Sequence, residues 1–138
     1  MMLFVPDAAF VDSIVNAPGV RATVQQGQGR LATTTFVEER HNAAVAWWGG
    51  VALFEHVQRG SYEGHVFCLP GHRGAAALAF GRAAVSWLFE TVCAERLAAH
   101  VPMWLPAARI YCRRLGLRSA GRDLFQEYFE VEAVSWVD

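Results

Sequence analysis

The stretch PGHRGAAALAFGRAAVSWLF, residues 70–89, decides the fold. A Pro-Gly-His-Arg-Gly loop opens directly onto a long alanine-rich run. From residue 74 to about 94 the apolar spacing is helical, with Leu78, Val85, Leu88, Phe89 and Val92 near one face. A tight loop at a helix start leaves backbone N–H groups without intrahelical acceptors, and such groups favour negative charge. The stretch is therefore either a phosphate cradle or a turn that feeds a buried helix.

Upstream of the loop the pattern has period two. Residues 43–48 and 51–57 read as strands joined at Gly49-Gly50, which suits a hairpin turn. Arg59-Gly60 makes the next turn, and residues 61–69 form the strand that enters the loop. The middle of the chain is thus a meander of antiparallel strands.

Nearer the N-terminus, Asp7 is placed to cap a short helix that presents Phe10, Val11, Ile14 and Val15 on one face. Residues 16–19 stop it. Val20, Ala22 and Val24 alternate as in a strand, residues 25–29 (QQGQG) form a polar turn, and residues 31–37 are Thr-rich and β-prone. The charged EERHN follows at residues 38–42.

Downstream, residues 96–101 read as a short strand ending at Pro102. Pro106 suits the first turn of a second helix that runs to Leu115, with Gly116 as its C-cap. Residues 117–121 form a turn region, and residues 124–134 finish as a strand. The order is strands, helix, strand, helix, strand, which is an α/β fold with a mixed, mostly antiparallel sheet.

Bulk composition narrows the function. The 138 residues suit one domain, residues 1–138. A hydrophobic fraction of 54% with five Trp supports a packed core. Net charge is −1, so no nucleic-acid partner is expected. All twelve basic residues are Arg. Three scattered Cys (Cys68, Cys93, Cys112) read as free thiols in a reducing, cytoplasmic compartment, and the scattered His residues give no metal-type spacing. No basic, apolar leader pattern opens the chain, and no apolar run is long enough to span a membrane.

Three segments carry a family resemblance. They are the strand YEGHVFCLP running into an Arg-Gly loop and long helix, the strand-and-turn RLAAHVP, and the helix ARIYCRRLGLRSAG with its Leu-Gly ending. Over roughly residues 47–121 the chain resembles the GNAT N-acetyltransferase superfamily, and its compact length and Trp87–Phe89 also resemble small phage and prophage members. The resemblance implies the GNAT fold, with helices on both faces of the sheet. It also implies acetyl-CoA as cofactor and transfer of an acetyl group to an amine on a small molecule or peptide.

Residue by residue, the resemblance implies that Phe67, Cys68 and Leu69 lie beside the pantetheine chain. His72, Arg73, Gly74, Ala75 and Ala76 would take the pyrophosphate, with Arg73 a fork donor over it. The family's small-residue pattern is met from Gly71 at Gly74 and Ala76 without the Arg; from Arg73 it meets Ala76 and then Leu78, where a small residue is usual. Ala108 and Cys112 on the second helix would add cofactor contacts. An amine must lose a proton to become an amide, so a carboxylate or imidazole is needed near the thioester. Glu63 and His65 share a strand face and are the candidate bases, with Glu55 on the neighbouring strand behind them. Tyr111 is the candidate acid for the leaving thiolate, although Cys112 stands at the family's Tyr position. Leu105 replaces an Asn that often precedes this helix. The alternative that follows from these departures is a GNAT-fold phage assembly protein without catalysis. Arg109 and Arg113 share a helix face that either meets phosphates or is solvated, and Trp104 is a candidate lining of the acceptor pocket. Aromatic residues near the C-terminus make a homodimer an expectation.

Overall fold

The computed structural model describes residues 1–24, 27 and 29–137. Six strands form one sheet in the order β1-β2-β3-β4-β6-β5: β1 (Ala43–Trp47), β2 (Gly50–Gln58), β3 (Ser61–Cys68), β4 (Arg96–Pro102), β5 (Arg118–Arg122) and β6 (Gln126–Glu132). Among the described residues, only β3 and β4 run parallel. The helix between them, α3 (Ala75–Glu90), is the crossover such a pair requires. Short helices α1 (Ala8–Val15) and α2 (Thr34–Glu38) cover one face of the sheet. The other face is covered by α3 and α4 (Pro106–Leu115). The mixed sheet with helices on both faces is the architecture expected from the sequence.

The strand β2 shows why two cores form. Its run Val51-Ala52-Leu53-Phe54 is buried throughout, as befits a strand covered on both faces. Val51 and Leu53 pack with Val11, Ile14 and Val15 of α1. Ala52 and Phe54 pack with Phe80, Ala84, Val85 and Leu88 of α3. The alternation carries across to β3, so Glu63, His65 and Phe67 face α1 and α2, while Tyr62, Gly64, Val66 and Cys68 face α3 and α4.

Three expectations are corrected. Residues 20–24 are not a strand; Arg21–Thr23 forms a 3₁₀ turn closed by Thr23 N–H on Val20 C=O at 2.9 Å. Residues 31–37 give α2 rather than a strand, because α1 already satisfies the backbone leading into it. Asn16 bonds both the N–H and C=O of Leu31, at 2.6 and 2.8 Å, and Asp12 accepts from the Thr33 N–H at 2.8 Å. The turn at residues 117–121 is instead largely an edge strand, β5, every residue of which is exposed. The polar turn expected at residues 25–29 lies mostly outside the described residues.

One feature of the sheet positions the site. The β3–β4 ladder has three registered pairs, ending at Glu63↔Ala98. Beyond it β3 stays with β2 as far as Cys68↔Gly50, and β4 stays with β6 as far as Pro102↔Gln126. The two arms part, and the sheet is split. Gly64 stands at the vertex, where a Cβ would lie 2.9 Å from Leu97 Cδ1 and 3.4 Å from Phe54. A side chain there would displace the end of Leu97 and press on the Phe54 ring.

Candidate active site at the split in the sheet

The β3 arm offers backbone to the split. Leu69 N–H donates to Gly49 C=O at 2.8 Å, on the β2 side. Strand alternation turns Phe67 the same way and turns the N–H and C=O of Val66 and Cys68 toward β4. Of the three expected cofactor neighbours on this strand, only Cys68 presents its backbone to the split. Phe67 and Leu69 pack their side chains on the α1 face. Val66, which sequence reasoning missed, joins Cys68 because the register is known. The Cys68 thiol is half-buried, and burial pushes its pKa up to about 11, so it is a neutral thiol rather than a nucleophile.

The split leads to the start of α3. A 3₁₀ turn over Pro70–His72 precedes Arg73, and Gly74 is the N-cap, at φ +77° and ψ −134°. No side chain caps the helix, and the first bond into its cap is Leu78 N–H to Gly74 C=O at 3.0 Å. The amides of Gly74, Ala75 and Ala76 have no acceptor among the described residues, and Gly74 and Ala75 are exposed. Among the described residues, no atom beyond the chain neighbours stands within 4 Å of a Cβ placed on Gly71 or Gly74. The corner is open, unencumbered and at the positive end of a 16-residue helix.

Two loop residues depart from the expected pattern. The His72 amide is already used, donating to Leu69 C=O at 2.8 Å, while its ring lies edge-on to Trp47 at 5.2 Å. Arg73 points its guanidinium back into the protein. Its Nη2 donates to Gly19 C=O at 2.8 Å and its Nε to Cys68 C=O at 3.4 Å, so it fastens the loop to the N-terminal segment.

On the α1/α2 face, Glu63 and His65 are brought together. Glu63 Oε1 lies 3.8 Å from His65 Nε2, and the His65 ring stacks on Phe67 at 6.4 Å. Burial lowers the His65 pKa, with Glu63 and Glu55 opposing and His100 assisting. The imidazole is therefore neutral near pH 7 and able to accept a proton. Glu55 pairs in register with Glu63 but is exposed.

Tyr111 sits on the other face, packed over Gly81 of α3. Its hydroxyl donates to Ala77 C=O at 2.6 Å, and burial raises its pKa further above the phenol range. Cys112 is buried in the α3/α4 core, its thiol pushed up to about 11 by the same cause. Ala108 is half-buried against that core.

Arg109 and Arg113 neither meet solvent alone nor line the open corner. Both donate to the buried Glu127 of β6, Arg109 Nε at 3.0 Å and Arg113 Nη2 at 2.5 Å, and Ser119 Oγ adds a third bond at 2.7 Å. Trp104 is exposed and lines a cavity of about 270 Å³ with Met103, Leu124, Phe125 and Gln126, beyond the end of the β4 arm.

The six-stranded sheet with its parallel β3–β4 pair and crossover helix α3 has the fold of solved GNAT acetyltransferase structures. The sequence matches no family model. No curated protein matches it either. Among solved structures, spermidine N-acetyltransferase from Vibrio cholerae in complex with CoA and spermine is similar, with TM-score 0.78, 12% identity, and coverage of 96% of this chain and 95% of that one. A GNAT-family acetyltransferase from Bacillus anthracis has TM-score 0.72 and 14% identity, covering 98% and 97%. The N-acetyltransferase PseH of Campylobacter jejuni, in complex with acetyl coenzyme A, has TM-score 0.60 and 16% identity, covering 69% and 70%.

Proposed function

We propose that the chain is an N-acetyltransferase that moves an acetyl group from acetyl-CoA to an amine. The observation that carries this reading is the split itself, which puts open helix amides on one side and a neutral imidazole beside a carboxylate on the other. The similar structures that bind CoA or acetyl coenzyme A share this fold and support the reading.

The chain's own groups fit the cofactor. The amides of Gly74, Ala75 and Ala76 would hold its diphosphate, because their N–H groups lack other acceptors and no side chain crowds them. The edge of β3 at Val66 and at the Cys68 N–H would hold its extended chain by strand addition and present an N–H to the acyl oxygen, the Cys68 C=O already accepting from Arg73. When bound, acetyl-CoA supplies an acyl carbon activated by its thioester. His65 takes a proton from the attacking amine, and Glu63 steadies the charge this creates. Tyr111 keeps its proton at neutral pH and would have to leave Ala77 to donate it.

Calorimetry with acetyl-CoA tests the first half, and thiol release across a panel of amines tests the second. Micromolar binding with turnover is expected, and His65→Gln should lower kcat by about 10²- to 10⁴-fold. An absence of binding at high micromolar acetyl-CoA rejects the reading. Binding with no thiol release from any amine supports the fold serving without catalysis, as in an assembly role.

A further inference from the structure

Glu63 belongs to the last β3–β4 pair, opposite Ala98. His65 and His100 each stand two residues beyond it, one on each arm, so both side chains return to the α1/α2 face. Both imidazoles approach the same oxygen. His65 Nε2 is 3.8 Å and His100 Nδ1 is 3.7 Å from Glu63 Oε1. These separations exceed a direct hydrogen bond and suit an ion pair or one bridging water.

His100 is held on its far side as well. It pairs in register with Tyr128 of β6, and the rings meet edge-on at 4.9 Å. The Tyr128 hydroxyl donates to Asp123 Oδ2 at 2.9 Å. Asp123 is fixed in turn by the amides of Phe125 and Gln126, at 2.7 and 2.8 Å. A row of neighbouring side chains therefore crosses the split from Asp123 through Tyr128, by its ring edge, to His100, Glu63 and His65. The other charged groups on this face of the sheet are Glu55 on β2, the Arg96–Glu130 pair with partners 3.0 Å apart, Glu132 in register with Arg96, and Arg118 of β5 in register with Glu130.

We propose that His100 is a positioning residue for acyl transfer: from across the split it competes with His65 for Glu63 and so weakens the hold of that carboxylate on His65. The inference rests on the transferase reading above. During transfer the acceptor nitrogen forms its bond to the acyl carbon as the carbon–sulfur bond breaks. One N–H proton passes to His65 Nε2, and the departing sulfur takes a proton from solvent. The step requires His65 to start neutral. His100, 3.7 Å from the same oxygen, engages Glu63, which otherwise would draw the proton onto His65. The lowered proton affinity of His65, set mainly by burial and aided by His100, agrees with this arrangement.

The test uses His100→Gln and the milder Tyr128→Phe, each folded as judged by circular dichroism. Proton NMR of the imidazoles in the ligand-free protein gives the His65 titration midpoint. In His100→Gln it should rise by about half a pH unit, and by less in Tyr128→Phe. The acid limb of kcat/KM should move to higher pH by the same amount, with KM for acetyl-CoA unchanged. An unmoved His65 midpoint overturns the proposal while leaving the transferase reading intact if the wild-type chain turns over. A moved midpoint with an unmoved acid limb overturns it too, since the coupling then does not serve the reaction. If the wild-type chain neither binds acetyl-CoA nor releases thiol, the transferase reading fails and the role in transfer falls with it, whatever the midpoint does.

Discussion

Gly71 and Gly74 flank the loop that opens α3, and replacing each with Ala separates backbone strain from crowding. Neither position has an atom within 4 Å of a built Cβ, so a methyl group meets equal space at both. Their backbones differ. Gly74 is at φ +77° and ψ −134°, a region almost confined to glycine, whereas Gly71 is not among the positive-φ residues. Holding Ala in the Gly74 conformation costs roughly 1 to 3 kcal/mol. At Gly71 the substitution restricts the unfolded chain and stabilises by about 0.4 to 1 kcal/mol. The two variants should therefore differ by roughly 1.5 to 4 kcal/mol, read as a separation of urea midpoints at unchanged m. The same strain bears on the ligand. If Gly74→Ala relaxes, the peptide before Ala75 turns and the amide cluster loses its common direction. Acetyl-CoA affinity should then fall about tenfold for each 1.4 kcal/mol of lost interaction, while Gly71→Ala binds as the wild type does. Equal stability of the two variants would refute the strain argument. A destabilised Gly74→Ala that binds acetyl-CoA normally would instead remove the amide corner from the site.

Glu127 gives a pH signature. Its bond from Ser119, and those from Arg109 and Arg113, hold the carboxyl at about 2 against its ordinary 4.5. Its native pKa is depressed, so its contribution to stability is present above about 4.5 and is lost as pH falls toward 2. Urea midpoints should drop across that window in the wild type and drop less in Glu127→Gln, which should also be less stable at pH 7. A Gly81→Ala methyl would collide with Tyr111 Oη and lie 2.6 Å from Leu115 Cδ2. Overpacking of about 1 to 3 kcal/mol outweighs a helix-propensity gain of about 1 kcal/mol, so chemical denaturation should show net loss; a gain would mean that the α3–α4 contact yields freely.

Much of the scaffold was legible because local pattern and tertiary need agree there. The meander of β1 to β3 is written as short apolar, β-prone runs around two glycine-bearing turns, and the long α3 and proline-started α4 carry helical spacing. Gly116, the expected C-cap, adopts φ +112°. Where the two disagree, propensity misled. Thr33–Val37 is β-prone by composition, yet α1 takes up its neighbouring backbone groups through Asp12 and Asn16, and a helical turn forms instead. The edge strand RSAGR has no apolar alternation to announce it, because both its faces are exposed; pairing with β6 alone makes it a strand.

The sequence by itself determined the order from β1 through β3, α3, β4 and α4 to the last strand, the cap at Asp7, and the presence of a carboxylate and an imidazole two residues apart on one strand. The strand period guarantees that Glu63 and His65 share a face, so no fold was needed to pair them. Only the tertiary structure decided where the β3–β4 ladder ends, and hence that His100, 35 residues after His65, stands across the opening from it. The same holds for Arg109 and Arg113, whose partner Glu127 comes from a strand added later in the chain. The physical reason is that local spacing sets the direction of a side chain relative to its own element, whereas pairing between elements depends on which backbone groups remain unsatisfied once the core has closed.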